Sequence, residues 1–177
     1  MRNLLIALAT LLSFAGCSRH YAPLETVTKV DLDRYAGTWF EIARYEHSFE
    51  KGCSRVSATY TLKDNGTVKV VNRCTTEAKK KKEAVGVAYA TDASNSRLKV
   101  SFFRPFYGDY WIIMLDKEYR YAVVGDPSRE YLWILSRTPE LAKETTRQIL
   151  KKLPALGYDP DKLLWTQQGS SSVMESK

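Results

Sequence analysis

Reactive side chains are scarce in this chain of 177 residues, which has two histidines, His20 and His47, and three cysteines, Cys17, Cys53 and Cys74. Neither histidine has a Ser or Cys nucleophile at a recognisable spacing, and two cysteines with a distant histidine are too few for a zinc site. No phosphate loop, dinucleotide fingerprint or His/Glu metal pattern occurs. The chain therefore reads as a non-enzyme with no cofactor and no metal. The one catalytic arrangement left open is a carboxylate pair assembled by folding, for example Glu41 with Glu83. No apolar run reaches the ~20 residues needed to cross a bilayer as a helix. No nucleic-acid motif accompanies the basic balance of +7, so a nucleic-acid partner is not expected. No internal repeat is present, and the length suits a single domain.

The longest apolar stretch lies at the start, where Arg2 precedes Leu4 to Gly16 and the run ends at Cys17. A basic beginning and a short apolar middle describe a secretory signal, here residues 1–16, to be set aside from the fold. Its removal takes away Arg2 and no acid, so +7 becomes +6. The pair Ala15-Gly16 before Cys17 resembles the lipobox of bacterial lipoproteins, with Phe14 where such boxes usually carry Leu. The resemblance implies acylation of Cys17 and a lipid-anchored tether over residues 17–30; Ser18 after it implies sorting to the outer membrane, on the periplasmic side. Acyl chains at ~0.8 kcal/mol per buried CH₂ would anchor the protein without a spanning helix. The alternative is an ordinary cleaved signal followed by an incidental cysteine.

The other two cysteines bracket a hairpin. Arg55 to Leu62 and Thr67 to Arg73 flank Lys63-Asp64-Asn65-Gly66, and Asn-Gly is a strong hairpin signal. Folding about that turn brings Cys53 and Cys74 nearly opposite, within disulfide reach, and an oxidising compartment favours the bond. Further strands are expected at Gly37 to Tyr45, Glu83 to Thr91, Arg97 to Phe103, Asp109 to Asp116, Arg120 to Gly125 and Glu130 to Ser136. Leu98, Val100 and Phe102 alternate with Lys99 and Ser101, the half-buried period of two. Eight closely spaced strands predict an all-β, antiparallel up-and-down barrel, which leaves no exposed edge. Leu141, Ile149, Leu150 and Leu153 then fall on one stripe, predicting one helix over Glu140 to Leu153 on the outside of the barrel, with Pro139 in its first turn and Gly157 at its end. Lys162 to Gln167 would add a last strand, and residues 170–177 a mobile tail. The run Lys79 to Lys82 reads as a solvated loop, with contact to lipid headgroups as the second reading.

Gly37-x-Trp39 on the first strand, Asp126 before the eighth and Arg137 just after it resemble, in order, the three motifs of lipocalins. The likeness covers essentially the whole chain after the signal, and domain boundaries of 31–169 follow for barrel plus helix. Tyr35 to Arg44 and Tyr131 to Pro139 look like the bacterial outer-membrane lipocalins, with apolipoprotein D as an animal relative. The second motif differs, reading Gly125-Asp126-Pro127 in place of Thr-Asp-Tyr. The resemblance implies that Arg137 lies across Trp39 at the closed base, so that both are structural. It also implies a cup for fatty acids, lysophospholipids or similar amphiphiles, for lipid storage or transport in the envelope. The aromatic supply for such a cup is Tyr60, Phe102, Phe106, Tyr107, Trp111 and Trp133, of which Tyr60 and Trp133 match pocket-facing positions of the apolipoprotein D branch. The competing reading is an envelope interaction module whose barrel is filled by its own side chains; a lipocalin-scaffold enzyme is a third.

Overall fold

A period-two apolar pattern repeated along short strands closes here into a ring, as the computed structural model shows for residues 21–169. Cys17, the signal run and the segment 170–177 lie outside the described residues. The strands are β1 (Gly37–Tyr45), β2 (Cys53–Leu62), β3 (Val68–Thr76), β4 (Lys81–Ala90), β5 (Arg97–Phe103), β6 (Phe106–Leu115), β7 (Tyr121–Gly125) and β8 (Leu132–Ser136). Each pairs antiparallel with the next, and β1 closes the ring against both β2 and β8. The short β9 (Leu163–Trp165) pairs with the edge of β1 that β2 leaves beyond Phe40, through Ala43↔Trp165. The eight-stranded up-and-down barrel with a C-terminal helix is thus present.

Most strand limits fall within a few residues of expectation, and two local features differ. Lys81 and Lys82 open β4 and only Lys79 and Lys80 remain in the turn. A bulge between Ser54 and Ser57 places Cys53 opposite Thr76, so Cys74 is diagonal to it across the hairpin. The Cys53–Cys74 disulfide forms even so, with 5.6 Å between Cα atoms.

The helix is shorter than its apolar stripe suggests. It runs Lys143–Lys152 (α2, with α1 the single turn Leu32–Tyr35), and a 3₁₀ turn carries Leu153–Leu156 to Gly157. Pro139 lies in the bend before it and not in its first turn, and the N-terminal position is Ala142, without a side-chain cap. The stripe still does its work: Ile149 and Leu153 are fully buried against Ile42, Val123, Leu132 and Ile134 on the outer wall. Residues 21–30 are no free tether. Leu24 and Val30 are buried, and the Val30 N–H donates to Ser94. The turn α1, unforeseen in the sequence, is capped by Asp31, whose carboxylate accepts from the backbone N–H groups of Asp33 and Arg34.

Up-and-down topology sends alternate connections to opposite ends. The turns β2–β3, β4–β5 and β6–β7 gather with α1 at the base, and the loops β1–β2, β3–β4, β5–β6 and β7–β8 at the other end. The base is sealed by Trp39, fully buried, with the Arg137 guanidinium 3.9 Å from its ring centre. That guanidinium also donates to the carbonyls of Arg34, Tyr35, Thr38 and Tyr119. Gly37 sits at φ +95°, and a Cβ there would lie 3.2 Å from Arg137 Nη1, so both conformation and space call for glycine.

The departing second motif holds its turn by a route that spares the proline. The Asp126 carboxylate accepts from the N–H groups of Ser128 and Tyr131, neither of which Pro127 supplies. The Tyr158 hydroxyl bonds both backbone groups of Asp126, and a Cβ on Gly125 would come within 2.1 Å of it.

Arg137→Ala removes a cation–π contact and four carbonyl partners together. It should destabilise the barrel by about 2–4 kcal/mol, read as a lowered denaturant midpoint with unchanged slope. Arg137→Lys, keeping the charge but losing the planar fork, should recover less than half of that loss.

Candidate functional site

Inside the barrel, above the Trp39 plug, lies a cavity of about 840 Å³. Above Trp39 the floor is polar: the hydroxyls of Tyr35 and Tyr60 each bond Tyr110 at 2.8 Å. Burial pushes all three phenols upward in pKa, which keeps them neutral. The surrounding wall is apolar, from Ala58, Val68, Val70, Ala88, Leu98 and Val100. Small residues at 58 and 88 are what leave it open. The mouth is ringed by Phe49, Phe102, Phe103, Phe106, Tyr107, Tyr131 and Trp133.

Five of the six aromatics selected from sequence line this space: Tyr60 beside the floor, Trp133 on the upper wall, and Phe102, Phe106 and Tyr107 at the mouth. Trp111 does not. Its neighbours Tyr110 and Ile112 belong to the barrel interior, and strand alternation turns Trp111 outward into the cluster beneath α2. There Arg97 stacks over it at 4.8 Å and its indole N–H donates to Asp109. Tyr110, one residue away, is the inward aromatic. The parity of Leu98, its partner in register, would have revealed this.

A buried charged cluster went unforeseen. Glu41, Arg44, His47 and Glu50 are all buried, and Glu41 and Glu50 border the cavity. Arg44 donates to Glu41 Oε1 at 2.6 Å and to the Glu50 carbonyl, and lies 3.5 Å from the Glu50 carboxyl, which His47 also approaches at 3.4 Å. Thr166 donates to Glu41, and Gln168 spans the carbonyls of Glu41 and Val56 where β1 and β2 part. The strand parity of Trp39 points to an inward Glu41. Arg44 turns inward only because a bulge between Glu41 and Ala43 shifts the phase, which no pattern shows. The suggested pair of Glu41 with Glu83 does not form: Glu83 bonds Arg73 at 2.9 Å, half exposed, and the carboxyl beside Glu41 is Glu50.

Burial, with the Glu41 charge second, raises the Glu50 pKa to about 8. Burial, with Arg44 second, lowers that of His47 to about 4. At neutral pH one cation, Arg44, thus faces one carboxylate, Glu41, with neutral neighbours. Because the folded pKa of Glu50 lies above its ordinary 4.5, its contribution to stability is complete below about 4.5 and is lost as pH rises through about 8. His47 acts in the opposite sense, losing its contribution as pH falls from 6.5 through about 4. Glu50→Gln should therefore flatten the stability decline between pH 5 and pH 8 in denaturant titrations, while leaving the acid limb set by His47 in place.

Comparison with known proteins agrees with this geometry. Residues 30–168 match the family model described as a lipocalin-like domain. The chain is 44% identical to the outer membrane lipoprotein Blc of Citrobacter freundii, over 95% of this chain and 98% of that one. It is 32% identical to apolipoprotein D of Mus musculus over 79% and 78% of the two chains. Among solved structures, insecticyanin of the tobacco hornworm Manduca sexta superposes with a TM-score of 0.70 at 20% identity, covering 86% and 88%. Barrel, base, motif order and relatives lead to one conclusion: the chain belongs to the lipocalin family.

Proposed function

We propose that the barrel is a carrier that holds one acyl chain of a fatty acid, lysophospholipid or similar amphiphile, for lipid storage or transport in a bacterial cell envelope. The observation that carries this reading is the open apolar cavity of about 840 Å³, within the range of small-molecule sites and walled by aliphatic side chains. Each buried CH₂ of a ligand would contribute about 0.8 kcal/mol. The head stays at the mouth, where hydration spares the cost of burying an unpaired charge. Lys82 borders the cavity there and suits a carboxylate or phosphate, whereas Arg73 is already paired with Glu83. An interaction module with a self-filled barrel would have no such space.

The placement in the outer membrane, by acylation of Cys17 with the barrel on the periplasmic side, is part of the same proposal. It rests on the residues preceding Cys17 and on relatives that are named outer membrane lipoproteins. Among the described residues no helix is long and apolar enough to cross a membrane, so attachment would fall to the acyl groups.

The test is a binding titration of the chain from residue 17 onward with long-chain fatty acids and lysophospholipids, read by tryptophan emission. Trp133 stacks on Tyr131 and borders the cavity, whereas Trp165 lies half exposed on β9. Trp133→Ala should weaken binding about tenfold or more, and Trp165→Ala by much less. Equal losses in two folded variants, or no binding of any acyl ligand, would reject the reading.

A further inference from the structure

Three features of separate origin meet at the open end of the barrel. The first is apolar. Phe103 and Phe106, at the β5–β6 tip, are 76% and 70% exposed with rings stacked 6.3 Å apart, and Phe49 in the β1–β2 loop is 59% exposed. Among the described residues, none of the exposed large hydrophobic side chains lies in the three turns of the closed base. Solvent-facing phenylalanines confined to one end are costly unless something covers them.

The second feature is charge. Lys79, Lys80, Lys81 and Lys82 form the neighbouring β3–β4 tip, with Lys51 and Arg104 in the adjoining loops, all exposed. The exposed acids at the same end are Glu46, Glu77, Glu83 and Glu130, with Glu83 paired to Arg73. Cations outnumber acids at this end, and β4 pairs with β5, so the lysine tip stands beside the phenylalanine tip. Phenylalanine set among lysines is the composition that enters an anionic lipid interface.

The third feature is the path of the N-terminal segment. From Val30, bonded to Ser94 at the base, the chain runs along the outside of the barrel to Ala22, whose carbonyl accepts from Arg129 in the β7–β8 loop. The Arg129 guanidinium also covers Tyr21 at 5.2 Å. The described chain therefore begins at the open end, and Cys17 is four residues further, at most about 14 Å of extended backbone.

We infer that the open end docks on an anionic lipid bilayer, with Phe103 and Phe106 entering the interface and the lysine tip against the headgroups. The mouth then faces the surface, and an amphiphile passes between bilayer and cup without crossing bulk water. The base points away from the membrane. Docking in this form is a property of the rim and holds for an empty barrel, so it stands apart from the cargo reading. Attachment through Cys17 would add to it, because a short tether at the same end holds the rim at the surface.

The test uses the chain from residue 17 onward, which contains every described element and contact, with Cys17→Ser so that no acyl group contributes. It is floated with vesicles of mixed phosphatidylglycerol and phosphatidylcholine, and with phosphatidylcholine alone. Binding is expected to the anionic vesicles and to be far weaker on the neutral ones. The combined change Lys79→Glu, Lys80→Glu and Lys81→Glu should weaken it about tenfold or more, with acyl-ligand uptake in solution retained. Phe103→Ser with Phe106→Ser, in a variant whose near-ultraviolet circular dichroism shows an intact fold, should abolish it. Failure to float with anionic vesicles, or flotation unchanged in both variants, would overturn the inference. A dimer in sedimentation that dissociates in the phenylalanine variant, without vesicle binding by either, would also overturn it, by showing a second copy as the occupant of the rim. Flotation without ligand uptake would sustain the docking and reject the cargo.

Discussion

The contact on which the molecule depends is the Arg137 guanidinium lying flat on Trp39. A barrel that is to hold anything needs one end shut, and a ring of eight short strands cannot close itself there with backbone hydrogen bonds. Trp39 supplies the plug and Arg137 the lock, its planar fork satisfying carbonyls of α1, β1 and the β6–β7 turn at once. Gly37 is bare because the lock passes against it. Once the base is fixed, small side chains can be tolerated higher up, since packing no longer has to close the end.

The upper half meets a different constraint. β1 and β2 separate above Phe40, leaving backbone groups of both strands facing a gap. The C-terminal segment fills it, with Gln168 bridging the carbonyls of the two strands and Thr166 donating to Glu41. The charged residues seated there, Glu41 and Arg44 with neutral Glu50 and His47, are balanced only while Glu50 keeps its proton. An apolar cup with a charge-neutral wall suits an acyl chain, and the cations that could meet its head stand outside that wall at the mouth.

Much of this was legible in the residues. Alternation along β5, the Asn65-Gly66 turn and the pair Cys53 and Cys74 gave strands, hairpin and crosslink, because each is set by neighbours a few positions away. The apolar stripe of α2 located the helix but not its start, since the bend at Pro139 depends on how the chain leaves β8. Trp111 shows the limit clearly: an aromatic on a strand faces in or out by parity, and parity over a strand with irregular ends has to be fixed from a neighbouring pair such as Leu98 with Tyr110. Arg44 was beyond reach for the same reason, its direction being reversed by a bulge. The cluster it organises joins residues from β1, the loop after it and the far C-terminal segment, a meeting that only the closed barrel creates.

The proposed role requires the cavity to hold a single acyl chain. Native mass spectrometry of the protein purified from its native cells, without ligand-stripping solvents, measures this most directly. One acyl-chain amphiphile per barrel, retained after buffer exchange and released on unfolding, is expected. A barrel recovered empty that takes up no amphiphile when membrane lipids are returned to it would contradict that role.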